Sequence, residues 1–279
     1  MRTGHQVDRG GGGSGRNVGT VGADRVVADS SDWDGARYDR LADPQARWGR
    51  TVLDRLQLTG SETVLDAGCG SGRVTEQLMR RLPSGRIVAV DASPSMLAQA
   101  RHRLGRDHRV RFVEADLLGL DRAALGTDAP VDAVFSTATF HWIVDHDRLF
   151  DNLADLLRPG GQLVAQCGAE GNIDGVIRAV RSLGGERAGT WLYPTAEETA
   201  VRLRRSGFVD VRVWTHPEPT PFAAAGPLAD FLEAVCLRQH LATLAPAERR
   251  LFAQRVAAAM PQPVIDYVRL NIVARRAKR

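Results

Sequence analysis

A short run at residues 64–72, with the sequence Val-Leu-Asp-Ala-Gly-Cys-Gly-Ser-Gly, constrains the fold of this chain more than any other feature. Its apolar start has the composition of a buried strand. The glycines that follow allow a tight turn to which a ligand can come close. A helical pattern then begins at residue 74. The run therefore predicts a strand, a ligand-binding turn and a helix.

The same alternation of short apolar runs and helical patterns continues along the chain. It predicts strands at residues 63–66, 86–91, 110–114, 133–136, 162–166, 208–214 and 264–274. It predicts helices between them at residues 74–82, 95–104, 148–157, 173–183 and 196–206. Apolar strands separated by helices of this length form a parallel sheet that is covered on both faces. The predicted fold class is a doubly wound α/β sheet.

The two ends of the chain depart from this alternation. Residues 1–30 include a run of glycines and few apolar side chains, so we expect a disordered tail ahead of one domain at 31–279. Near the other end, the proline-flanked segment 217–227 leads to two amphipathic patterns at 228–241 and 246–260. Because they interrupt two late strands, residues 221–262 are predicted to form a helical lid.

Composition limits the classes of partner. The net charge is +4, but the basic residues are interspersed with acidic ones, which argues against nucleic-acid binding. Cys69, Cys167 and Cys236 lack the spacing of a metal site or a disulfide framework, so we expect no metal. No apolar run has the length of a signal peptide or a membrane span. The expectation is a cytoplasmic protein that does not bind membranes.

Three acidic residues follow three successive predicted strands: Asp66, Asp91 and Asp116. Nicotinamide dinucleotide-binding folds use glycines at a similar turn, but that reading needs a small residue where this chain has Arg73. Asp66 also disfavours the binding of a pyrophosphate, whereas it can accept a hydrogen bond from an ammonium group. Asp91 can accept from both hydroxyls of a ribose. The pattern favours a cationic nucleoside over a dinucleotide.

Residues 33–275 resemble class I S-adenosylmethionine-dependent methyltransferases, through the acid and glycine-rich turn and the run Leu-Leu-Arg-Pro-Gly-Gly at 156–161. The resemblance implies seven strands with the last antiparallel, and S-adenosyl-L-methionine as cofactor. It places Asp66 at the methionine ammonium, Asp91 at the ribose and Asp116 at the adenine amino group. The implied cofactor-binding residues are Asp66, Gly68, Cys69, Gly70, Asp91, Ala92, Met96, Asp116, Leu117 and Ser136.

The segment after the fourth predicted strand contains His141 and Trp142 and should border the transferable methyl group. It resembles two groups of carboxylate O-methyltransferases, the trans-aconitate and the juvenile hormone acid methyltransferases. The resemblance implies that Trp142 holds the acceptor carboxylate, assisted by Gln45, and that Arg238 belongs to the lid over the substrate. His141 often corresponds to Gln in the aconitate group, and Gln239 replaces a proline there.

The acceptor chemistry decides the role of His141. A carboxylate is already ionised at neutral pH, so methyl transfer to it needs alignment and no base. A hydroxyl or phenol acceptor would need a base, and His141 is the candidate. We expect an enzyme that methylates a small-molecule acceptor, most readily a carboxylate, as a monomer or homodimer. A hydroxyl, phenol, nitrogen or carbon acceptor, an NAD-linked oxidoreductase and a non-catalytic binding protein remain alternatives.

Overall fold

A computed structural model of the chain describes residues 37, 41, 43–185, 191–242 and 244–278, with the backbone alone for 43–46. The predicted tail, residues 1–30, lies outside the described residues. Seven strands form one sheet in the order β3-β2-β1-β4-β5-β7-β6, in which only β7 runs antiparallel. The strands are β1 Thr63–Ala67, β2 Arg86–Asp91, β3 Val110–Glu114, β4 Val131–Thr137, β5 Leu157–Gly168, β6 Phe208–Pro221 and β7 Val264–Arg276. The predicted fold class is confirmed, including the reversed last strand.

Helices connect and cover the strands. They are α1 Asp43–Leu53, α2 Arg73–Arg80, α3 Pro94–Leu104, α4 Arg122–Leu125, α5 His146–Leu156, α6 Asp174–Ser182, α7 Ala196–Arg205, α8 Ala225–Phe231, α9 Arg238–Leu241 and α10 Pro246–Ala259. A π-helical turn at Leu232–Cys236 lies between α8 and α9, and 3-10 turns lie at Gly126–Asp128 and Phe140–Trp142. None of the helices in the described part of the chain is both long and apolar enough to cross a membrane.

Local sequence explains where several helices begin. Ser93 precedes α3, and its hydroxyl accepts a hydrogen bond from the Met96 amide at 3.2 Å, while Pro94 occupies the first helical position. Thr195 and Glu198 form a capping box at the start of α7, because each side chain accepts from the backbone amide of the other. These residues fix the chain direction just after the sheet edge.

Two hydrophobic clusters cover the two faces of the sheet. Leu65 and Ala67 of β1 face one cluster, while Val64 between them faces the other. This alternation, with both faces buried, is typical of a central strand in a doubly wound sheet. Positioned in this way, the strands present their carboxyl ends along one edge, where ligands bind in open α/β sheets.

A third cluster joins the insertion between β6 and β7 to the sheet. It combines residues of α8 to α10 with Trp48 of α1, Trp191 and Tyr267 of β7. Arg37 reinforces the contact, because its guanidinium donates to both carboxylate oxygens of Glu233 at 2.9 and 2.6 Å. The helix predicted at 228–241 is not continuous, so this prediction is wrong. The extra residue of the π turn allows Leu237 to be fully buried, and the helix breaks there.

The end predicted for the sixth strand, at residue 214, is wrong, because the strand extends to Pro221. Strand β6 continues through Pro217, Pro219 and Pro221, which pair in register with Val268, Asp266 and Val264 of β7. Proline lacks an amide donor, but β6 is the edge strand, and alternate residues can direct their missing donor toward the open side. The long β6–β7 ladder thus carries the insertion to the ligand-binding edge.

Candidate active site

The glycine-rich turn after β1 is tied to the neighbouring strand by its backbone. The amides of Gly68 and Cys69 donate to the Val90 carbonyl at 2.8 and 2.9 Å. Gly68 has a φ of 81°, and a Cβ there would come within 2.1 Å of the Thr139 hydroxyl oxygen. Gly70 also has a positive φ, but a Cβ there would meet no atom within 4 Å. The turn is therefore packed at Gly68 and open at Gly70.

Asp66 is buried at the end of β1. Its Oδ2 accepts a hydrogen bond from the Thr75 hydroxyl at 2.7 Å. Burial raises the pKa of this carboxyl to about 7, and the nearby charge of Asp91 acts in the same direction. A cation placed beside Asp66 would favour its ionised form. Thr75, one helical turn into α2, was not anticipated as part of the site.

Asp91 ends β2 and caps two backbone amides. One carboxylate oxygen accepts from the Gly70 amide at 2.8 Å, and the other accepts from the Ser93 amide at 2.9 Å. These bonds fix the carboxylate beside the glycine turn while each oxygen keeps capacity for another donor. Ala92 is exposed at the same edge, and Met96 is buried in the first turn of α3.

The remaining predicted cofactor residues differ in exposure. Asp116 is exposed after β3, and its carboxylate accepts from the Leu118 amide at 2.9 Å, while Leu117 is buried. Ser136 is buried in β4, and its hydroxyl donates to the Ala67 carbonyl at 2.7 Å. The Ser136 side chain thus joins β4 to β1, a structural role that the sequence did not predict.

The turn after β4 carries His141 and Trp142. It begins at Ala138, whose φ of 56° is unusual for a residue other than glycine. His146 of α5 stabilises the turn, because its Nε2 lies 2.9 Å from the Phe140 carbonyl oxygen, which can only accept. His146 was not anticipated from the sequence, although it lies near the end of the same motif.

His141 is held as a neutral imidazole. Its Nδ1 accepts the Gly168 amide at 3.4 Å, and its ring stacks on Tyr193 with centroids 5.9 Å apart. Burial, together with the positive charge of Arg269, lowers its pKa to about 3. A bond accepted at Nδ1 leaves the proton on Nε2, so this ring is poorly suited to remove a proton from a substrate.

Aromatic rings continue from His141 toward the insertion. Trp142 lies 5.2 Å from His141 and 5.8 Å from Trp191, measured between ring centroids. Trp191 in turn lies 5.8 Å from His240, the third residue of α9. These side chains come from the turn after β4, the segment before α7 and the insertion. Of these four residues, the sequence analysis named only His141 and Trp142.

The other two predicted substrate residues are positioned by their helices. Gln45 lies in the first turn of α1, and its side chain is outside the described part of the structure. Arg238 begins α9, directly after the π turn, and is partly buried. Trp48, one turn after Gln45, packs at the same cluster as Trp142. Helix α1 and the insertion therefore both approach the turn after β4.

These residues fit S-adenosylmethionine. The buried Asp66 carboxyl provides an acceptor for its ammonium group, the space at Gly70 admits a ligand close to the backbone, and Asp91 offers acceptors for two ribose hydroxyls. No group of three His, Cys, Asp or Glu side chains among the described residues could hold a metal ion.

Comparisons with known proteins agree with this geometry. A methyltransferase domain family matches residues 64–161. The chain is 31% identical to a trans-aconitate 2-methyltransferase of Methylobacterium nodulans, over 89% of this chain and 100% of the relative. An Escherichia coli trans-aconitate 2-methyltransferase gives the same identity and coverage.

Solved structures share the fold at lower identity. A Haemonchus contortus phosphoethanolamine N-methyltransferase 2 with bound S-adenosylhomocysteine is 18% identical, with a TM-score of 0.60 over 88% of this chain and 57% of its own. The [4+2]-cyclase SpnF is 21% identical, with a TM-score of 0.56 over 84% and 82%. The full-length relatives and the chemistry of the site lead to one conclusion: this chain belongs to the family of S-adenosylmethionine-dependent methyltransferases that includes the trans-aconitate 2-methyltransferases.

Proposed function

We propose that this enzyme methylates a carboxylate oxygen of a small organic acid. The observation that carries the proposal is the state of His141, whose pKa is lowered to about 3 and whose Nδ1 already accepts the Gly168 amide. A hydroxyl acceptor would need a base beside the methyl group, whereas a carboxylate does not. The full-length relatives support the same acceptor class, since trans-aconitate is itself a carboxylic acid.

The chain's own residues then act by binding and alignment. When bound, S-adenosylmethionine supplies an electrophilic methyl group whose carbon–sulfur bond breaks as the acceptor oxygen attacks, leaving the electron pair on sulfur and no proton to remove. Asp66 and Asp91 hold the ammonium and ribose, and Trp142 positions the acceptor at the turn after β4. Alignment of this kind can supply effective molarities of roughly 10⁵ to 10⁸ M.

The helical insertion acts as a lid in this proposal. Residues of α8 to α10 share a buried cluster with Trp48, and Trp142 packs against it, so closing the insertion would exclude water from the acceptor. Gln45 and Arg238 are proposed to contact the acceptor from α1 and α9. We propose that the enzyme is a cytoplasmic monomer or homodimer. Its three cysteines are free and buried, which suits the reducing conditions of the cytoplasm.

The proposal is tested with labelled S-adenosylmethionine and a panel of carboxylic acids, phenols and amines. We expect a base-labile methyl ester from an acid. His141→Gln should keep turnover within a few-fold, because a glutamine oxygen can still accept the Gly168 amide and no proton is removed. Trp142→Phe keeps the ring but loses the indole donor, so it should raise the acceptor KM or lower kcat.

Rate against pH separates the alternatives. For a carboxylate acceptor, and with S-adenosylmethionine kept saturating at every pH, the wild-type rate should show no limb near the ordinary histidine pKa of about 6.5. Three results together would contradict the proposal: methylation of a hydroxyl acceptor by the wild type, a roughly 10²- to 10⁴-fold loss of rate in His141→Gln, and the disappearance of a histidine limb from the pH profile of that variant.

A further inference from the structure

Arg269 is a buried arginine in β7 at the ligand-binding edge of the sheet. It pairs in register with Gly168, the last residue of β5, and is 2% exposed. The amide of that same Gly168 donates to His141. Because the carboxyl ends of β1, β4 and β5 share this edge, the strand register brings the guanidinium group to the acceptor side of the cofactor site.

The guanidinium of Arg269 is held by rings and an amide. Its central carbon lies 4.5 Å from the ring centroid of Trp48 and 5.9 Å from that of Tyr267. Its Nε donates to the Gln166 side-chain oxygen at 3.4 Å, and the Gln166 amide donates to Asn271 at 2.8 Å. The planar cation therefore has a fixed orientation, which suits directional recognition of a carboxylate.

A second donor lies beside this cation. The indole Nε1 of Trp48 is buried and has no hydrogen-bond partner among the residues that the structure describes, although a buried indole donor usually finds one. Trp48 also packs edge-on against Tyr267, with centroids 5.0 Å apart. A fixed guanidinium and an unsatisfied indole donor in contact with each other form a pair of donors for one anion.

We propose that Arg269 and Trp48 bind the carboxylate end of the acceptor and so select acids over neutral compounds. This inference rests on the proposed function and names the residues that give it its specificity. The two side chains come from β7 and α1, so the site forms only when both elements are in place. An anionic group would stabilise the buried charge, whereas a neutral amide of the same shape would not.

The test compares each acid with its primary amide, as ligands of enzyme saturated with S-adenosylhomocysteine. Calorimetry would use benzoate and benzamide, cinnamate and cinnamamide, and trans-aconitate and its triamide. Wild type should prefer the acid. Arg269→Gln should reduce this preference roughly ten- to hundredfold, without changing amide affinity. Trp48→Phe, which keeps a ring under the guanidinium but lacks the donor, should reduce it about tenfold.

Two further variants control for structural effects. Arg275→Gln removes another arginine of β7. Arg275 donates hydrogen bonds to Gln57 and to the Gly160 carbonyl, and it pairs in register with Gln162 of β5, away from the ligand-binding edge. This variant should leave the acid preference unchanged. Arg269→Lys keeps the charge but loses the planar fork, so it should lower the preference partially even if Arg269→Gln folds poorly. S-adenosylhomocysteine affinity should be the same in all variants.

The outcomes distinguish this inference from the proposed function. If wild type methylates an acid but Arg269→Lys and Trp48→Phe keep the full acid preference, the assignment of these two residues is wrong and the function stands. If wild type methylates hydroxyls or amines and no acid, both the proposed function and this inference are wrong. An acid preference that disappears in Arg269 and Trp48 variants alone, with kcat largely kept, supports the inference.

Discussion

At the scale of single residues, burial shifts the pKa values of two side chains in opposite directions. Burial raises the pKa of the Asp66 carboxyl to about 7 and lowers the pKa of the His141 imidazole to about 3. Near neutral pH, Asp66 is therefore poised between its two forms, whereas His141 stays neutral. We therefore expect the neutral imidazole, which accepts the Gly168 amide, to have a structural role, and we expect Asp66 to respond to a bound cation.

The state of Asp66 predicts how cofactor affinity depends on pH. An ammonium group binds the ionised carboxyl, so below pH 7 binding must first displace a proton from Asp66. The affinity for S-adenosylhomocysteine should fall by up to about tenfold for each pH unit below 7. Calorimetry at pH 5.5, 6.5 and 7.5 measures this slope.

The matched variant is Asp66→Asn, which can still accept from Thr75 but does not titrate. It should bind more weakly at pH 7.5 and show a nearly flat profile. An equally steep slope in Asp66→Asn would mean that another group controls the pH dependence.

At the scale of elements, the turn between β1 and α2 separates packing from ligand access. Gly68 sits against Thr139 of the segment after β4, so this glycine lets two connections approach each other. Gly70 also has a positive φ, but there is open space beside it. One turn thus packs against the segment after β4 on one side and has open space on the other, where we propose that the cofactor binds.

This contrast predicts different effects for two alanine substitutions. Gly70→Ala forces a side chain into a left-handed conformation, which costs about 1 to 2 kcal/mol, and it fills the space expected for the cofactor. It should lower both the free energy of unfolding and the affinity for S-adenosylhomocysteine. Denaturant melts and calorimetry measure the two effects.

Gly105 provides the control, because it ends α3 with a φ of 63° and also has open space at its Cβ. Gly105→Ala should also lower the free energy of unfolding, because its φ of 63° and ψ of −144° favour glycine, but it should leave the cofactor affinity unchanged. If Gly70→Ala also leaves the affinity unchanged, the cofactor does not pass close to Gly70.

At the scale of the whole molecule, the sheet and the insertion meet through a shared core. Trp48, Tyr267 and the residues of α8 to α10 belong to one buried cluster, and Arg37 bonds Glu233 across it. Arg37 is therefore part of this contact. From the sequence alone, we expect residues 1–30 to contribute little to the stability of the fold, because they contain few apolar side chains.

Two truncations test this boundary. A chain that begins at Ser30 should keep the melting temperature and the S-adenosylhomocysteine affinity of the full chain. A chain that begins at Asp43 loses Arg37 and its paired bonds to the partly buried Glu233, so it should melt several degrees lower. A large loss in the longer truncation would show that residues 1–29 contribute to the fold or the site.

The sequence by itself determined the sheet, because the periodicity of apolar residues and the spacing of the glycines and strand-end acids are both local signals. It also predicted site roles for Asp66, Asp91 and the turn that bears His141 and Trp142, and these roles stay predictions. It did not reveal that Ser136 bonds between strands or that His141 is buried and neutral, since both depend on neighbours distant in sequence. Nothing in the sequence distinguished Arg269, because β7 also contains Asp266, Asn271, Arg275 and Arg276. Only the antiparallel pairing of β7 with β5 and the packing of α1 brought it to Gly168 and Trp48, because tertiary contacts decide which polar groups share a buried site.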